Sequence, residues 1–580
     1  MVLHLMLRGS FSIATRLRVL PIHHHHDHHS RRSSHGLAAD THPELPQPSP
    51  GRHPHLMKHG ELTPGIPADE YAERRRALMR RLPLGSLVLV FGSTKHLMAN
   101  DIPYPFHQNA DMLYLTGLNE PDAVLMLQAP TSELKNNHPS TESSTQQQQA
   151  HLSSALKQAP SAASQMVASI LGVSLVKQGD FPPLPQLPPP PSLPASTFRA
   201  AVANLRGEHT MTLFVNPTDR VSRLWDGPRA GLEWAKAHFR ADRSFQNSEF
   251  AMHLRIALGQ CTHVIAPSSD SASSPQPVAS VFDSAIKSFP EHRQVPLQPF
   301  LHAQRAVKSP AELVLMRKAA EIAYHSFIAG MQATRPGVAE YQVFAAMQAA
   351  TISRGAFHLS FPPVVAGGAR ATILHYVQKD QLLRANELVL VDFGSEYFGY
   401  CSDVSRTWPV SGKFNAIQRA VYEAVLSVNQ KCIEVRSRVS RRVQHPDHID
   451  HSLFPPFLHQ VCDLGRNAGL RAADLSRHAR NFTIQELEKL LFPHSIGHFL
   501  GMDTHDTSEI RQFETFVDGM VFTIEPGLYI DEFGEHFVPE ARGIGIRVED
   551  NILFRSGLPA QVLTAMIPKL VDDIERVCAQ

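Results

Sequence analysis

Apolar and polar positions follow two different periods along this chain, and the change of period divides it. Residues 69–82 (DEYAERRRALMRRL) have helical composition with a charged outer face. Apolar runs at 87–90 and 122–127 have the length of strands, so the first half reads as α/β up to about Val307. A helix start with three signals follows. Ser309 can cap it, Pro310 suits its first turn, and Glu312 occupies the capping-box position. Met316, Ala320, Ala323 and Phe327 then recur at helical spacing, and a second domain begins here.

Period two dominates the last third. The run 387–391 is strand-like and ends on Asp392, and Asp403 lies in a second β-like stretch, CSDVSRT. Gly394 and Gly399 bracket a turn between them, so a hairpin is expected to set Asp392 opposite Asp403. Farther on, Thr523 and Glu525 share one strand face while Phe522 and Ile524 take the other. In 543–549, Ile544, Ile546 and Val548 face one side and leave Arg547 and Glu549 together on the opposite one. His494 and His498 fall on one side of either a strand or a helix, and Gly497 and Gly501 argue against a long helix.

Three segments break these patterns. The N-terminus, MVLHLMLRGSFSIATRLRVLP, carries Arg8, Arg16 and Arg18 with no acid before Asp27, which has the character of a mitochondrial transit peptide. Residues 131–196 are rich in Ser, Gln and Pro, too polar to repay their ordering entropy, and 268–277 form a shorter Ser/Pro-rich case. These read as a leader (1–54), a domain of 55–302 interrupted by an insertion, and a domain of 303–580. Two folded domains therefore account for a length of 580 residues that would otherwise suggest about four.

Composition narrows the function. Hydrophobic residues make up 43%, enough to bury sizeable cores. The formal net charge of +1 provides no bulk attraction to nucleic acid or an anionic surface. No apolar run is long enough to span a membrane. Five scattered cysteines do not make a disulfide framework, which fits a reducing compartment. Of the 34 histidines, the conspicuous tract at 23–29 has nothing around it to fix its rings and reads as filler.

The candidate chemistry lies in the four carboxylates Asp392, Asp403, Glu525 and Glu549 together with an imidazole from the cluster His494, His498 and His505. This oxygen-rich set suits Mn²⁺, Co²⁺ or a Zn²⁺ pair, and it contains no thiolate to recommend a structural zinc. Two such ions about 3.5–4 Å apart would share carboxylates and generate a hydroxide nucleophile.

Six stretches then resemble the pita-bread metallopeptidases of the aminopeptidase P type. They are ATILHY (371–376), VDFG (391–394), SDVSRTWPVSG (402–412), PHSIGHFLGMDTHD (493–506), TIEPG (523–527) and GIRVEDN (545–551), in that family's order. The resemblance covers roughly 303–580 and implies an α/β (α+β) architecture, with a pita-bread catalytic domain behind a smaller α/β domain. It implies that Asp392, Asp403, His498, Glu525 and Glu549 hold two metal ions, usually Mn²⁺, with Asp403 and Glu549 bridging. His375, His494 and His505 match the family's substrate-side histidines, and Arg547 matches an arginine on the strand of the bridging glutamate. The stretch 436–457 departs from the pattern as extra sequence, away from every ligand. Upstream, GELTPG (60–65), EYAERR (70–75), ANDIPYPFHQNADMLYLTG (99–117) and NEPDAVLML (119–127) are similar to mitochondrial aminopeptidase P-like enzymes, a subgroup that includes the intermediate cleaving peptidase.

The implied activity is metal-dependent removal of one residue from peptide or protein N-termini, acting on presequence-processing intermediates in the mitochondrion. Glu525 is the expected proton carrier, His494 and His505 support catalysis, and the free amine is expected near Asp392. A prolidase acting on Xaa-Pro dipeptides and a catalytically inactive binding module are the alternatives. Members of the family are commonly dimers or tetramers, and no feature of this sequence selects an assembly.

Overall fold

A computed structural model describes residues 47–130, 207–267, 277–290, 292–438, 491–510, 516–533, 537 and 539–580. The Arg-rich leader, the histidine tract, the 131–196 insertion and the extra stretch from 439 onward lie outside the described residues.

The first half is built on a six-stranded mixed sheet. Its strands are β1 (Ser86–Phe91), β2 (Val124–Gln128), β3 (Thr210–Val215), β4 (Arg243–Gln246), β5 (His263–Ala266) and β6 (Arg293–Pro296), in the spatial order β6-β5-β1-β2-β3-β4. The central strands are buried along their length because both faces are covered. Helix α1 (Ala68–Arg80) packs against α2 (Ala110–Thr116), which Asn109 caps by accepting from the Met112 N–H. Helix α3 (Gln298–Arg305) leads out of this half.

Helix α4 (Pro310–Ala333) opens the second half with the expected reciprocal cap. The Ser309 hydroxyl accepts from the Glu312 N–H at 3.2 Å, and the Glu312 carboxylate accepts from the Ser309 N–H at 2.8 Å. Met316, Ala320, Ala323 and Phe327 all turn inward. Helix α5 (Glu340–Ile352) lies against it. Strands β7 (Val364–Gly367), β8 (Leu388–Phe393) and β9 (Val404–Pro409) form one antiparallel sheet in that order. Helix α6 (Ala416–Arg438) follows. Strand β10 (Val521–Ile524) pairs with β13 (Asp550–Leu553), and β11 (Gly527–Tyr529) pairs with β12 (Gly545–Arg547). The apolar faces of these sheets and the helices α4 to α6 enclose one large core that includes Trp408, Phe393 and Phe522.

The two halves share a second core. It runs from Leu62, Tyr71 and Leu115 of the first half to Met316, Tyr400 and Leu500 of the second. A polar seam accompanies it: the Arg74 guanidinium donates to Glu70 at 2.7 Å and to the Tyr400 hydroxyl at 3.3 Å, and the Ser309 hydroxyl donates to Glu70 at 2.6 Å.

One expectation needs correction. Asp392 stands opposite Ser405, and Asp403 precedes β9 rather than facing Asp392. The turn at Phe398 and Gly399, both at positive φ, closes a separate small hairpin of Ser395–Tyr397 and Tyr400–Cys401. Gly394 permits this departure: a Cβ there would collide with the Ser402 carbonyl, so the chain crosses itself closely before the hairpin begins.

Candidate metal centre and active site

The strand ends of the second half converge on a cavity of about 930 Å³. Asp392 closes in from β8, and Asp403 from the residue ahead of β9. Glu525 follows β10 directly, and Arg547 and Glu549 flank the step from β12 to β13. His494 and His498 sit on an irregular segment, with no helix between them, and His375 and His505 come from two further loops. All nine residues singled out in the sequence line this one cavity.

Arg547 organises one wall. Its Nη2 donates to Asp392 Oδ2, its Nη1 to the Tyr529 hydroxyl and its Nε to the Ser405 hydroxyl, each at 2.7 Å. Ser405 in turn donates to Glu549 Oε2 at 2.9 Å. The shared-face expectation for Arg547 and Glu549 is thus realised through one hydroxyl. Asn551 holds the Asp403 backbone on both sides, accepting from its N–H at 3.2 Å and donating to its carbonyl.

The histidines are oriented by their neighbours. His498 Nδ1 donates to the Phe499 carbonyl at 3.0 Å, which turns Nε2 towards Asp403 Oδ2 at 3.3 Å and Glu525 Oε1 at 3.5 Å. His494 Nδ1 donates to the Ser495 carbonyl at 2.8 Å, and its Nε2 accepts from the Tyr529 hydroxyl at 2.8 Å. A line of polar contacts therefore runs from Arg547 through Tyr529 to His494. The His505 ring lies 4.3 Å from that of His498.

Ionisation in this pocket is under strain. Burial pushes Asp392 up to about 6 against the pull of Arg547. Burial and the charge of Asp403 raise Glu525 to about 7 against the pull of His498. Burial and Asp403 hold Glu549 well above the ordinary carboxylate range. Burial draws His498 down, but its hydrogen bond to Asp403 and the charges of Glu525 and Asp403 outweigh this and lift it to about 9. Burial and the adjacent Arg547 drop His494 to about 4, which keeps its ring neutral.

A cation fits this donor set. Asp392 Oδ1 and Glu549 Oε1 are buried carboxylate oxygens with no hydrogen-bond partner among the described residues, a costly arrangement for groups meant to stay as they are. Asp403, His498 and Glu549 each offer a ligand atom, and these atoms lie within 4.8 Å of one another. Positive charge placed among the acids would restore their ionisation and satisfy the orphaned oxygens.

Three neighbours escaped the sequence reading: Ser405, Tyr529 and Asn551. A shared signal was available. Each lies on the same period-two track as a singled-out acid, two residues beyond Asp403, four beyond Glu525 and two beyond Glu549.

Comparison with known proteins agrees with this geometry. Residues 314–449 and 458–556 match the model of metallopeptidase family M24, and residues 71–145 and 197–265 match that of the aminopeptidase P N-terminal domain. The class that fold and site define is thus a metallo-aminopeptidase, with a pita-bread catalytic domain behind an aminopeptidase P N-terminal domain. The chain is 32% identical to Xaa-Pro aminopeptidase 3 of Homo sapiens over 551 residues, 92% of this chain and 91% of the relative. It is 29% identical to the mitochondrial intermediate cleaving peptidase 55 of Arabidopsis thaliana, covering 94% of this chain and 89% of the relative. Zinc-substituted aminopeptidase P of E. coli, solved with product, superposes with a TM-score of 0.66 at 26% identity, covering 89% of this chain and 98% of that one. The chain belongs to the Xaa-Pro aminopeptidase family of M24 metallopeptidases. Among the described residues, no helix is long and apolar enough to cross a membrane.

Proposed function

We propose that this metallo-aminopeptidase releases a single residue from peptide and protein N-termini in the mitochondrion, trimming proteins after presequence removal. The observation that carries the reading is the convergence of nine residues from separate strands and loops on one cavity, with two buried carboxylate oxygens left for a cation. Asp392, Asp403, His498, Glu525 and Glu549 would hold two metal ions, Mn²⁺ by preference. Bound there, the pair supplies Lewis acidity, polarising a carbonyl and bringing the pKa of water down towards 7.

The chain's own groups do the rest. Glu525 takes the proton from the attacking water and returns it to the leaving nitrogen, a role open to a carboxylate that lines the cavity beside the other acids. Arg547 keeps Asp392 aligned, and through Tyr529 it fixes the neutral tautomer of His494, whose ring is held as part of the cavity wall on the peptide's side. His375 and His505, on loops at the cavity wall, shape the pocket beyond the scissile bond. Mitochondrial trimming is supported by the names of the intermediate cleaving peptidase relatives.

Substrate choice is tested by comparing Xaa-Pro peptides with Tyr-, Phe- and Leu-initiated peptides that lack proline. Release of one residue from the second set, at rates near the first, is the expected result. Strict dependence on proline at the second position would contradict the trimming role.

A further inference from the structure

The loop that carries His505 is held from outside the active site. At the seam between the halves, Arg305 ends α3 with its side chain only 3% exposed and meets three carboxylates. Its Nη1 donates to Asp111 Oδ1 at 2.5 Å, and its Nη2 donates to Asp503 Oδ2 at 2.6 Å and Asp506 Oδ1 at 2.5 Å. Lys308 Nζ takes the other oxygen of Asp506 at 2.9 Å and the Arg305 carbonyl at 2.7 Å, with both side chains 1% exposed. Asp111 belongs to α2 of the first half, and Asp503 and Asp506 belong to the loop at the cavity.

That loop depends on the grip. The Asp506 N–H donates to the Phe499 carbonyl at 2.9 Å, and the Gly501 N–H donates to the Asp503 carbonyl at 3.2 Å, which closes 499–506 into a compact turn. Gly501 has to be glycine, because a Cβ there would collide with the Asp506 carboxylate and crowd Lys308. Thr507 follows at φ +51°, a strained conformation for a β-branched residue that persists only when its surroundings enforce it. His505 sits between these anchors, next to Asp506, with its ring tilted against that of His498.

We infer that Arg305 is a positioning residue for the reaction, and that Asp111 of the N-terminal half completes the device by which the loop presents His505 to the substrate. The inference rests on the reading of His505 as a substrate-side group. Arginine suits the post because one planar fork spans three carboxylates from two halves of the chain, which a lysine ammonium cannot reproduce. The N-terminal half is then part of the catalytic apparatus, reaching the site through two side chains.

The test is a double-mutant cycle on the full-length, manganese-loaded enzyme with R305K, D111N and H505A, alone and as R305K/H505A and D111N/H505A. The readouts are kcat/KM on an Xaa-Pro-Leu tripeptide and calorimetric affinity for Pro-Leu, its product-like remainder. Metal content and melting midpoint serve as controls. R305K is expected to lose about tenfold in kcat/KM with metal retained, and D111N several-fold. In the H505A background each is expected to cost less than about twofold, since coupled residues are not additive. If H505A turns over too slowly, Pro-Leu affinity carries the cycle, and if R305K does not fold, D111N carries it. Equal losses in both backgrounds, or no loss from either seam variant, would overturn the inference. An H505A enzyme indistinguishable from the parent would overturn the reading of His505 itself, and this inference with it.

Discussion

Arg547 and Asp392 lie 155 residues apart in sequence, yet Nη2 of one donates to Oδ2 of the other at 2.7 Å inside the cavity. The contact ties β8 to β12, and Arg547 turns its other two nitrogens, Nη1 and Nε, to Tyr529 and Ser405. One side chain thereby fixes an acid, a hydroxyl that orients His494, and a hydroxyl that holds Glu549.

Arg547→Lys is the informative substitution there, because lysine keeps the charge but cannot reproduce three directed bonds. A loss of about 10–100-fold in kcat/KM is expected, with the fold retained. Peptide hydrolysis alongside circular dichroism measures both. Unchanged turnover would mean that the three bonds are incidental.

Metal retention should track the proposed ligands. Asp403→Ala and His498→Ala are expected to lower bound metal per chain well below that of the parent, because each removes a donor from the trio within 4.8 Å. Ser360→Ala, at the cavity wall but outside the ligand set, is the control. Elemental analysis after reconstitution with Mn²⁺ gives the counts, and full occupancy in both variants would remove these residues from the ligand set.

A buried charge pair supports the site from behind. Arg406 and Asp550 are both fully buried and paired at 2.9 Å, and Lys569 reaches the other Asp550 oxygen at 2.6 Å. Arg406→Leu leaves Asp550 short of a partner and is expected to cost about 3–5 kcal/mol in unfolding free energy. Denaturant titration reads this directly, and a loss under about 1 kcal/mol would show that Lys569 and the Thr564 hydroxyl, which donates to Asp550 at 2.8 Å, suffice for the acid.

Glu120 makes part of the stability depend on pH. It is buried and accepts the Ala230 N–H, and burial raises it from 4.5 to about 7. The fold therefore binds its proton more tightly than the unfolded chain does. Its contribution is full below about pH 4.5 and is lost as pH rises through 7. Glu120→Gln should be more stable than the parent at pH 8, by on the order of 2–3 kcal/mol, and equal to it at pH 4. Melting curves at the two pH values decide, and a parent advantage at pH 8 would reverse the sign.

How much of this was legible in the sequence depends on the range of the interaction. The Ser309 cap of α4, the inward stripe from Met316 to Phe327 and the shared face of Arg547 and Glu549 are local patterns, and period and capping chemistry expose them. Strand register is not local. The pairing of Asp392 with Ser405 depends on where the chain leaves the sheet at Gly394, which alternation alone does not encode. The grip of Arg305 on Asp111, Asp503 and Asp506 was invisible for the same reason, since its partners are about 200 residues away and show no common period. Histidine abundance misleads for the opposite reason, because the tract at 23–29 is conspicuous in sequence while the cavity uses four isolated histidines elsewhere.

The central claim is metal-dependent release of one N-terminal residue. It is tested most directly by mass spectrometry of an Xaa-Pro peptide and a Leu-initiated peptide after incubation with the manganese-loaded enzyme, with chelator-treated enzyme and with Asp403→Ala. The expected result is loss of a single N-terminal residue in the first case and intact peptide in the other two. Near-normal cleavage by the chelated enzyme, or cutting at an internal bond, would contradict it.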